Sequence, residues 1–326
     1  MTCLQRKMRD RREFMSKVKV KQPRKKIRWA RYIPIYFLAL PGMIYLIINN
    51  YLPMFGIVIA FKDLDFRKGL LKSDWCGFEN FKYLFRSKDA LIITRNTVLY
   101  NVVFIIFGVI LGITVAILLN EVRGRLKVKF FQSVILIPYL MSWVVVSYLV
   151  YAVFSAEVGF VNNSILKPMG SEPISWYMEP KYWPAILIFV HFWKSLGFTM
   201  VIYYSNLIGI SPEYYEAAKI DGATKWQQIK SITLPLLKPT IITLTILNLG
   251  RIFSSDFGLF YQIPRNSGVL YPTTRTLDVY VYNALMKNND FAMSSAASVY
   301  QAVVGFVFIL VANGIIRKMS EENALF

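Results

Sequence analysis

Few residues in this chain have the types and spacing that covalent chemistry would need. The sequence holds one histidine, His191, and two cysteines, Cys3 and Cys76, and these form no metal-ligand pattern. It contains no GxxxxGK[ST] phosphate-binding loop, no nucleophile elbow and no HExxH motif, and its apolar runs carry no pair of carboxylates. We therefore predict no catalytic residue, no cofactor and no metal ion. His191, which lies in an apolar run, is interpreted as packed or pore-lining.

Three charged residues lie inside long apolar runs, where ionised groups are costly. Lys194 lies about eleven residues into its run, which is roughly 16 Å along a helix and near the middle of a bilayer. Arg251 and Asp256 lie toward the end of another run. Charges at such depth normally face the interior of a helix bundle and are paired or functional. For Lys194, a salt bridge that sets helix register and a functional role both stay open, whereas a structural role is favoured for Asp256.

The composition indicates that a membrane-embedded fold positions these residues. Of 326 residues, 55% are hydrophobic and 17% are charged, and the mean hydropathy is +0.42. Soluble domains carry about 25% charged residues. Thirteen of the 38 lysines and arginines precede the first apolar run, which is the positive-inside pattern of a cytoplasmic tail near anionic lipid. The net charge of +19 is therefore not interpreted as a sign of nucleic-acid binding.

The apolar runs predict an all-α integral membrane protein with six spans and both chain ends in the cytoplasm. The predicted spans lie at about 32–52, 97–119, 130–154, 182–208, 236–257 and 294–316. Residues 1–31 are predicted to form a basic cytoplasmic tail, residues 32–319 the transmembrane domain, and residues 320–326 a short cytoplasmic tail. Pro138 is predicted to kink or loosen the third span and to expose a carbonyl inside the bundle. The segment Tyr271–Tyr282, which is aromatic and polar without being strongly charged, is predicted to form a protein or glycan contact surface on the outer side of the membrane.

A polar, helix-prone loop, Ser211–Pro235, separates the fourth and fifth predicted spans. Ser211 followed by Pro212 is typical of an N-cap and a first helical position, because proline lacks the N–H that the first turn leaves unpaired. Gly222 can adopt the left-handed conformation that ends a helix. Thr224 is suited to cap a second short helix. The loop is therefore predicted to form two short helices joined at Gly222.

The spacing of this loop resembles the EAA loop of binding-protein-dependent ABC importer permeases. The family pattern has Glu-Ala-Ala, three residues, Gly, nine residues and Ile-x-Leu-Pro, and the chain matches it from Glu216 to Pro235. In that family the first helix is a coupling helix that docks into a groove on an ATP-binding subunit. The resemblance implies that the coupling residues are Glu216, Ala217, Ala218, Asp221 and Gly222. An ordinary amphipathic loop helix is the alternative interpretation.

Other segments resemble carbohydrate importer permeases, in particular those that handle complex oligosaccharides. These segments are Gly77–Phe81, Trp193–Gly197, Asp221–Ala223 and Asp256–Gly268. The resemblance implies that the chain imports a sugar or oligosaccharide across the cell membrane by alternating access. The implied partners are a related second permease, two copies of an ATP-binding subunit that hydrolyses ATP, and an extracellular binding protein that delivers the sugar.

A sugar site needs aromatic faces for the apolar side of each ring, and amides or hydroxyls for the hydroxyl groups. The candidate residues along the substrate pathway are Trp193, Lys194, Asn248, Phe253, Tyr139 and Trp143. Packing inside the bundle, or anchoring at the membrane interface, is the alternative role for each aromatic residue.

Two other classes of function stay open. The first is a secondary transporter or channel for small polar solutes, which would work without an ATP-binding partner. Ion-coupled transport predicts carboxylates at the membrane midplane, and the apolar runs have none there. The second is a membrane-embedded enzyme of glycan metabolism, which would need an acid–base pair that is not apparent in the sequence. The permease interpretation is preferred to both.

Overall fold

The computed structural model describes residues 33–65 and 67–319, and this part of the chain is mostly helical. The predicted basic tail at residues 1–31, with Cys3, lies outside the described residues, as does the predicted tail at 320–326. The described residues up to Phe55 belong to one compact unit, and those from Gly56 onward belong to another. Each unit is described separately below.

The first unit is an apolar helical segment. Helix α1, Ile33–Leu46, contains Pro41 and continues into a π-helical turn, Ile47–Tyr51, and a short helix α2, Leu52–Met54. Most of its side chains are large, apolar and exposed. Such a surface is suited to contact with lipid tails or with other apolar helices in a membrane.

The second unit contains a small two-stranded ladder and a series of helices. The unit begins within the 3-10 helix Phe55–Phe61, which is followed by strand β1 Lys62–Asp63, helix α3 Gly69–Lys72 and strand β2 Asp74–Trp75. Four helices come next, α4 Glu79–Arg86, α5 Lys88–Glu121, α6 Arg125–Leu140 and α7 Trp143–Phe154. A π-helical turn Val161–Leu166 and two 3-10 turns, Trp176–Met178 and Pro180–Tyr182, precede helix α8 Trp183–Leu207. Strands β1 and β2 pair in antiparallel fashion, with Lys62 opposite Trp75.

The remaining elements run from the loop after α8 to the end of the described chain. They are helices α9 Pro212–Ile220 and α10 Lys225–Gln228, the π-helical turn Ile229–Thr233, helix α11 Leu234–Leu249, the π-helical turn Gly258–Gln262, the 3-10 turn Gly268–Leu270, and helices α12 Tyr271–Thr274, α13 Leu277–Met286 and α14 Phe291–Met319. The observed architecture confirms the predicted all-α fold.

The described residues contain five helical segments long and apolar enough to cross a membrane. They are Tyr36–Phe61, Lys88–Glu121, Pro180–Leu207, Lys225–Leu249 and Phe291–Gly314. Helices α6 and α7 pass the same test as a pair, and counting that pair as one crossing gives the six predicted spans. Helix α5 begins nine residues before the predicted second span, because the preceding polar residues form its first turns.

The third span is broken close to Pro138, where it was predicted to kink or loosen and to expose a carbonyl. Helix α6 continues through Pro138 to Leu140, and α7 begins at Trp143 at an angle of 96° to it. Ser142 caps α7, because its Oγ accepts a hydrogen bond from the backbone N–H of Val145 (3.3 Å). The helix breaks after Pro138 because a cap for a new helix follows it within four residues.

The fifth span is also shorter than predicted. Helix α11 ends at Leu249 instead of reaching Phe257, and helix re-forms only as the π-helical turn from Gly258. Residues 250–257 therefore form an interruption in this span. Backbone inside a membrane needs partners for its N–H and C=O groups, and side chains of three other helices provide them, as described below.

The segment Tyr271–Tyr282 packs largely into the bundle, and its role as a contact surface at the outer mouth stays a prediction. Within it, Thr274 is 2% exposed and Thr276 is fully buried, and Pro272 is its one exposed residue. The segment is drawn inward because polar side chains in the first half of α5 bond to its backbone. The bonds join Asn96 Nδ2 to the carbonyl of Arg275 (3.0 Å), Tyr100 Oη to the carbonyl of Thr273 (2.8 Å), and the N–H of Leu277 to Thr97 Oγ1 (3.0 Å).

Three clusters of buried apolar side chains hold the second unit together. The first includes Val150, Trp183 and Leu259, the second includes Leu84, Ile93 and Leu277, and the third includes Ala116, Met200 and Leu237. The first two lie beside the early turns of α5, and the third lies beside its last turns. Helices α5 and α8 run together through the unit and contribute to more than one cluster.

Gly197 of α8 lies where α8 meets α6 backbone to backbone, and this contact gives a test of the fold. A Cβ built at Gly197 would overlap the carbonyl oxygen of Ile135 and the Cα of Leu136. We expect Gly197→Ala to lower the free energy of unfolding by about 1–3 kcal/mol through overpacking. The measurement is the melting temperature of the purified protein. Gly314→Ala is the matched control, because no atom lies within 4 Å of the added Cβ, and a loss in this variant as well would contradict the assignment.

Candidate functional site

The loop Ser211–Pro235 forms the two short helices that were predicted. Helix α9 begins directly after Ser211, whose Oγ accepts a hydrogen bond from the backbone N–H of Glu213 (3.4 Å). Pro212 occupies the first position of the helix. Both features satisfy the start of a helix without a tertiary partner, so the local sequence alone is sufficient to place it.

The turn between the two helices also follows local rules. Gly222 has a φ of +79°, which a side chain with a branched Cβ would resist. The N–H of Ala223 donates to the carbonyl of Ala218 (2.8 Å), which closes the end of α9. Thr224 and Gln227 then form a reciprocal capping box that starts α10.

Polar contacts fix one side of this loop against the ends of α5 and α11. Tyr215 Oη lies 2.9 Å from Thr233 Oγ1. Lys225 Nζ lies 2.8 Å from both carboxylate oxygens of Glu121, at the end of α5. A cavity of about 310 Å³ lies beside these contacts, and Gln228 lines it together with Glu121 and Lys225. The loop is therefore held in place by side chains that point toward the spans.

The opposite side of the loop is exposed and partly apolar, and we name it the α9 surface. Its large apolar members are Tyr214, Ile220 and Trp226, which are 58%, 88% and 71% exposed. The predicted residues Glu216, Ala217, Asp221 and Gly222 are exposed as well. Large apolar side chains grouped in this way typically mark a surface that another protein covers. The sequence analysis missed these three residues, although Tyr214, Ala217 and Ile220 recur every third residue.

Ala218 differs from the other predicted coupling residues. It is half-buried, whereas Ala217 is exposed, so the two alanines do not lie on one common face of the helix. The reason is geometric, because successive side chains on a helix project about 100° apart. Ala217 belongs to the α9 surface, and Ala218 faces the rest of the chain.

Lys194 is buried at the break between α6 and α7. Its ammonium group donates to the carbonyls of Tyr139 (2.8 Å) and Met141 (2.6 Å), and more weakly to that of Pro138 (3.4 Å). The last carbonyls of any helix lack partners within the helix. Lys194 therefore caps the C-terminal end of α6 with its charge, and its partners are carbonyls rather than the carboxylate that a salt bridge would need.

Three of the predicted pathway residues meet at this break. The Lys194 ammonium lies 5.6 Å from the ring centre of Tyr139 and 5.0 Å from that of Trp143. Both distances are within the range of a cation–π contact. Tyr139 also stacks on Phe198, with ring centres 4.8 Å apart, and Gly258 lies against the Trp143 ring with no room for a Cβ. The aromatic rings therefore enclose the cation at the point where the third span turns.

The interruption in the fifth span is held by side chains that sequence reasoning missed. Asn101 of α5 donates to the carbonyls of Ile252 and Ser254, both at 2.8 Å. Gln301 of α14 donates to the carbonyl of Phe253 (2.7 Å). On the other side of the segment, the N–H of Ser255 donates to the carboxylate of Asp278 (2.6 Å). The sequence signal for this network was a set of amides and a carboxylate within otherwise apolar helices.

The other predicted pathway residues lie apart from the Lys194 cluster. Phe253 belongs to the interruption and packs edge-on against Phe308, with ring centres 6.0 Å apart. Asn248 and Trp193 are exposed. The six predicted residues therefore do not form one site within the described chain. They divide into a cluster at the third-span break, a position in the fifth-span interruption, and two exposed side chains.

His191 lies in the packed interior of the second unit, in agreement with its interpretation as a packing residue. Its ring stacks on Phe104, with ring centres 3.6 Å apart and planes inclined by 9°. Within residues 33–65 and 67–319, no group of three histidine, cysteine or carboxylate side chains is arranged to hold a metal ion.

Comparisons with known proteins match the chain over most of its length. A family model described as "Binding-protein-dependent transport system inner membrane component" matches residues 108–321. The polygalacturonan/rhamnogalacturonan transport system permease protein YteP of Bacillus subtilis (strain 168) is 35% identical over 310 residues, which are 94% of each chain.

Two solved structures also resemble the fold. One is a bacterial ABC transporter involved in the import of the acidic polysaccharide alginate, with a TM-score of 0.81, 31% identity, and coverage of 89% of this chain and 97% of that chain. The other is a bacterial alginate ABC transporter in complex with an alginate pentasaccharide-bound periplasmic protein. It has a TM-score of 0.80, 30% identity, and coverage of 89% and 96%.

Proposed function

Because the chain belongs to the family of binding-protein-dependent transport system inner membrane components, we propose that it carries a sugar or oligosaccharide across the cell membrane. In this proposal a related second permease completes the pathway, and two copies of an ATP-binding subunit supply the energy. An extracellular binding protein delivers the sugar. Relatives named for polygalacturonan, lactose and galactooligosaccharide transport support the choice of a saccharide.

The observation that carries the proposal is the α9 surface. One side of the loop Ser211–Pro235 is fixed to α5 through the Lys225–Glu121 ion pair, and the other side exposes Ile220 and Trp226. A helix held in this way can transmit a push from a docked protein to the spans. In the proposal this surface fits the groove of an ATP-binding subunit, and Glu216 and Asp221 supply polar contacts at its edge.

The proposed orientation follows from this contact. ATP-binding subunits work in the cytoplasm, so the end of the bundle that carries α9 would face inward, and both chain ends would be cytoplasmic. The basic residues agree with this orientation, because thirteen of the 38 precede the first apolar run. The bonds from α5 to the segment around Arg275 would then lie at the outer end.

The third and fifth spans, which are both irregular, are the candidate sites of conformational change during transport. Discontinuous helices in transporters line the solute pathway, because their free carbonyls and amides can exchange partners. Here the third span breaks after Leu140, beside Lys194 of α8, and the fifth is interrupted at residues 250–257. We propose that closure of the ATP-binding subunits moves α9 and that these breaks absorb the change between inward-open and outward-open states.

The proposal is tested by purifying the tagged chain with its natural partners and reconstituting it in vesicles. We expect one related permease and two ATP-hydrolysing subunits to co-purify. Vesicles supplied with ATP, the binding protein and a library of oligosaccharides should accumulate sugar, detected by mass spectrometry, and an ionophore should have no effect. A chain that purifies without an ATPase, and whose solute flux is abolished by the ionophore, would instead be a secondary transporter.

A further inference from the structure

A second cavity lies at the other end of the bundle from α9, beside helix α7. Its volume is about 250 Å³, and Tyr148, Tyr261, Gln262, Arg265, Asn266 and Lys287 contribute to its wall. Cavities for drug-sized ligands usually measure about 300–1,000 Å³. This cavity therefore suits one small unit, or one residue of a longer chain that continues outward.

The charged residues that line this cavity are all positive. Arg265 and Lys287 are both exposed, and none of the residues that line the cavity is an aspartate or glutamate. Among the residues that the structure describes, no carboxylate lies within ion-pairing distance of either cation. Two cations that share a cavity without a compensating carboxylate favour an anionic ligand.

The backbone that carries Arg265 is held in a conformation that side chains rarely adopt. Arg265 and Asn266 have φ values of +54° and +48°. Such residues are energetically unfavourable and persist only where the surroundings fix them. The buried Asn283 fixes this turn, because its amide and that of Asn266 donate to each other, both at 3.0 Å. Tyr271 Oη donates to the same Asn266 oxygen (3.1 Å).

The guanidinium group of Arg265 is oriented by an aromatic ring as well. Its central carbon lies 4.3 Å from the ring centre of Tyr151, which lies one turn beyond Tyr148 on α7. Lys287 directly follows α13, four residues after Asn283. The same asparagine pair therefore sets the position of the arginine and links it to the helix that ends beside the lysine.

The remaining wall has the groups that a sugar ring needs. Tyr148 is 63% exposed, and Tyr261 is held in place by stacking on Phe257, with ring centres 4.8 Å apart. Gln262 adds an amide, whereas the amide of Asn266 is engaged by Asn283 and Tyr271. Aromatic faces bind the apolar side of a sugar, and amides bind its hydroxyls. A simple phosphate ion or a lipid headgroup would use the cations but would leave these walls without a role.

From these observations we propose that the cavity binds a carboxylate-bearing sugar unit, a uronate, of an oligosaccharide that enters the pathway. Arg265 would bind the carboxylate, in a bidentate manner that its fork allows. Lys287 would add the second positive charge. This inference rests on the proposed function, and it restricts the substrate class from sugars in general to acidic ones.

The test compares an acidic and a neutral trisaccharide. The complete membrane complex, in phosphatidylcholine nanodiscs without the binding protein, is titrated with labelled trigalacturonate and with maltotriose. We expect the double variant Arg265→Gln, Lys287→Gln to bind trigalacturonate about tenfold more weakly, because two charge-assisted contacts are lost. Added salt should weaken binding to the wild type more than to the variant. The variant should keep its melting temperature, and Arg265→Lys should recover part of the affinity.

The matched control is Lys167→Gln, which removes an exposed cation that lies outside the cavity. Unchanged trigalacturonate affinity in the double variant, or an equal loss in the control, would overturn the proposal. Binding of phosphatidylglycerol that depends on Arg265 and Lys287, with no binding of trigalacturonate, would assign the cavity to lipid instead. If the wild-type complex takes up neutral sugars on addition of ATP but does not bind trigalacturonate, this inference fails and the proposed function stands.

Discussion

Replacement of Ala217 by tryptophan should remove the ATP-binding subunits from the purified complex and abolish ATP-driven uptake. Ala217 lies between Tyr214 and Ile220 on the α9 surface and is exposed. A small residue there lets a partner approach the helix backbone closely, and an indole would hold the partner away. We expect at least about a tenfold fall in the recovery of ATP-binding subunits, since interface positions at the centre of a contact dominate its energy. The measurement is stoichiometry after affinity purification.

The control for this result uses the same position. Ala217→Ser is small and should keep both the ATP-binding subunits and the uptake. Gly222→Val should reproduce the loss, because a β-branched residue resists the φ of +79° at the end of α9. Gly222→Asn should preserve function, because asparagine tolerates this conformation. If Ala217→Trp and Gly222→Val both bind the ATP-binding subunits normally, the loop Ser211–Pro235 is not the coupling element.

Replacement of Lys194 by methionine should destabilise the protein and stop transport while leaving the α9 surface intact. Methionine keeps most of the side-chain volume but removes the donor that serves the carbonyls of Tyr139 and Met141. Loss of hydrogen bonds from a charged donor costs about 1.5–3 kcal/mol. A loss of 2 kcal/mol corresponds to a fall in melting temperature of about 4–8 °C. The two measurements are the melting temperature and ATP-driven uptake.

The control is a second lysine, which tests whether the loss of stability and transport is specific to Lys194. Lys181→Met removes an exposed cation before α8, and it should change neither measurement. Recovery of the ATP-binding subunits should stay normal in Lys194→Met, which separates this variant from the Ala217 series. An unchanged melting temperature in Lys194→Met would contradict the role of the ammonium as the cap of α6.

Local sequence rules were sufficient for the coupling loop. Ser211, Pro212 and Gly222 specify the ends of α9 through groups at most a few residues away. The structure has both helices where these rules place them. The exposed Ile220 and Trp226 were missed, because exposure depends on which side of the loop is anchored. That anchor is the contact of Lys225 with Glu121, which lies 104 residues earlier in the chain.

Distant contacts explain where the sequence analysis failed. The third span was expected to kink or loosen at Pro138, but the 96° break and the partner of its free carbonyls, Lys194, which follows Pro138 by 56 residues, were not predicted. The interruption at residues 250–257 depends on Asn101, which precedes Ile252 by 151 residues. Hydropathy predicts where both spans lie but not where they break. The apolar run does not indicate which backbone carbonyls will accept hydrogen bonds from side chains of other helices.

The bonds between the first half of α5 and the segment after Pro272 have a consequence for biogenesis. Asn96 bonds to the carbonyls of Pro272 and Arg275, which lie 176 and 179 residues later. At about 5–20 residues per second, a ribosome needs roughly 10 to 35 seconds to make that intervening chain. During this time the polar groups in the first half of α5 lack their final partners. A nascent chain halted before Pro272 should therefore be a preferred target for membrane chaperones and proteases, and release of the last two helices should end that exposure.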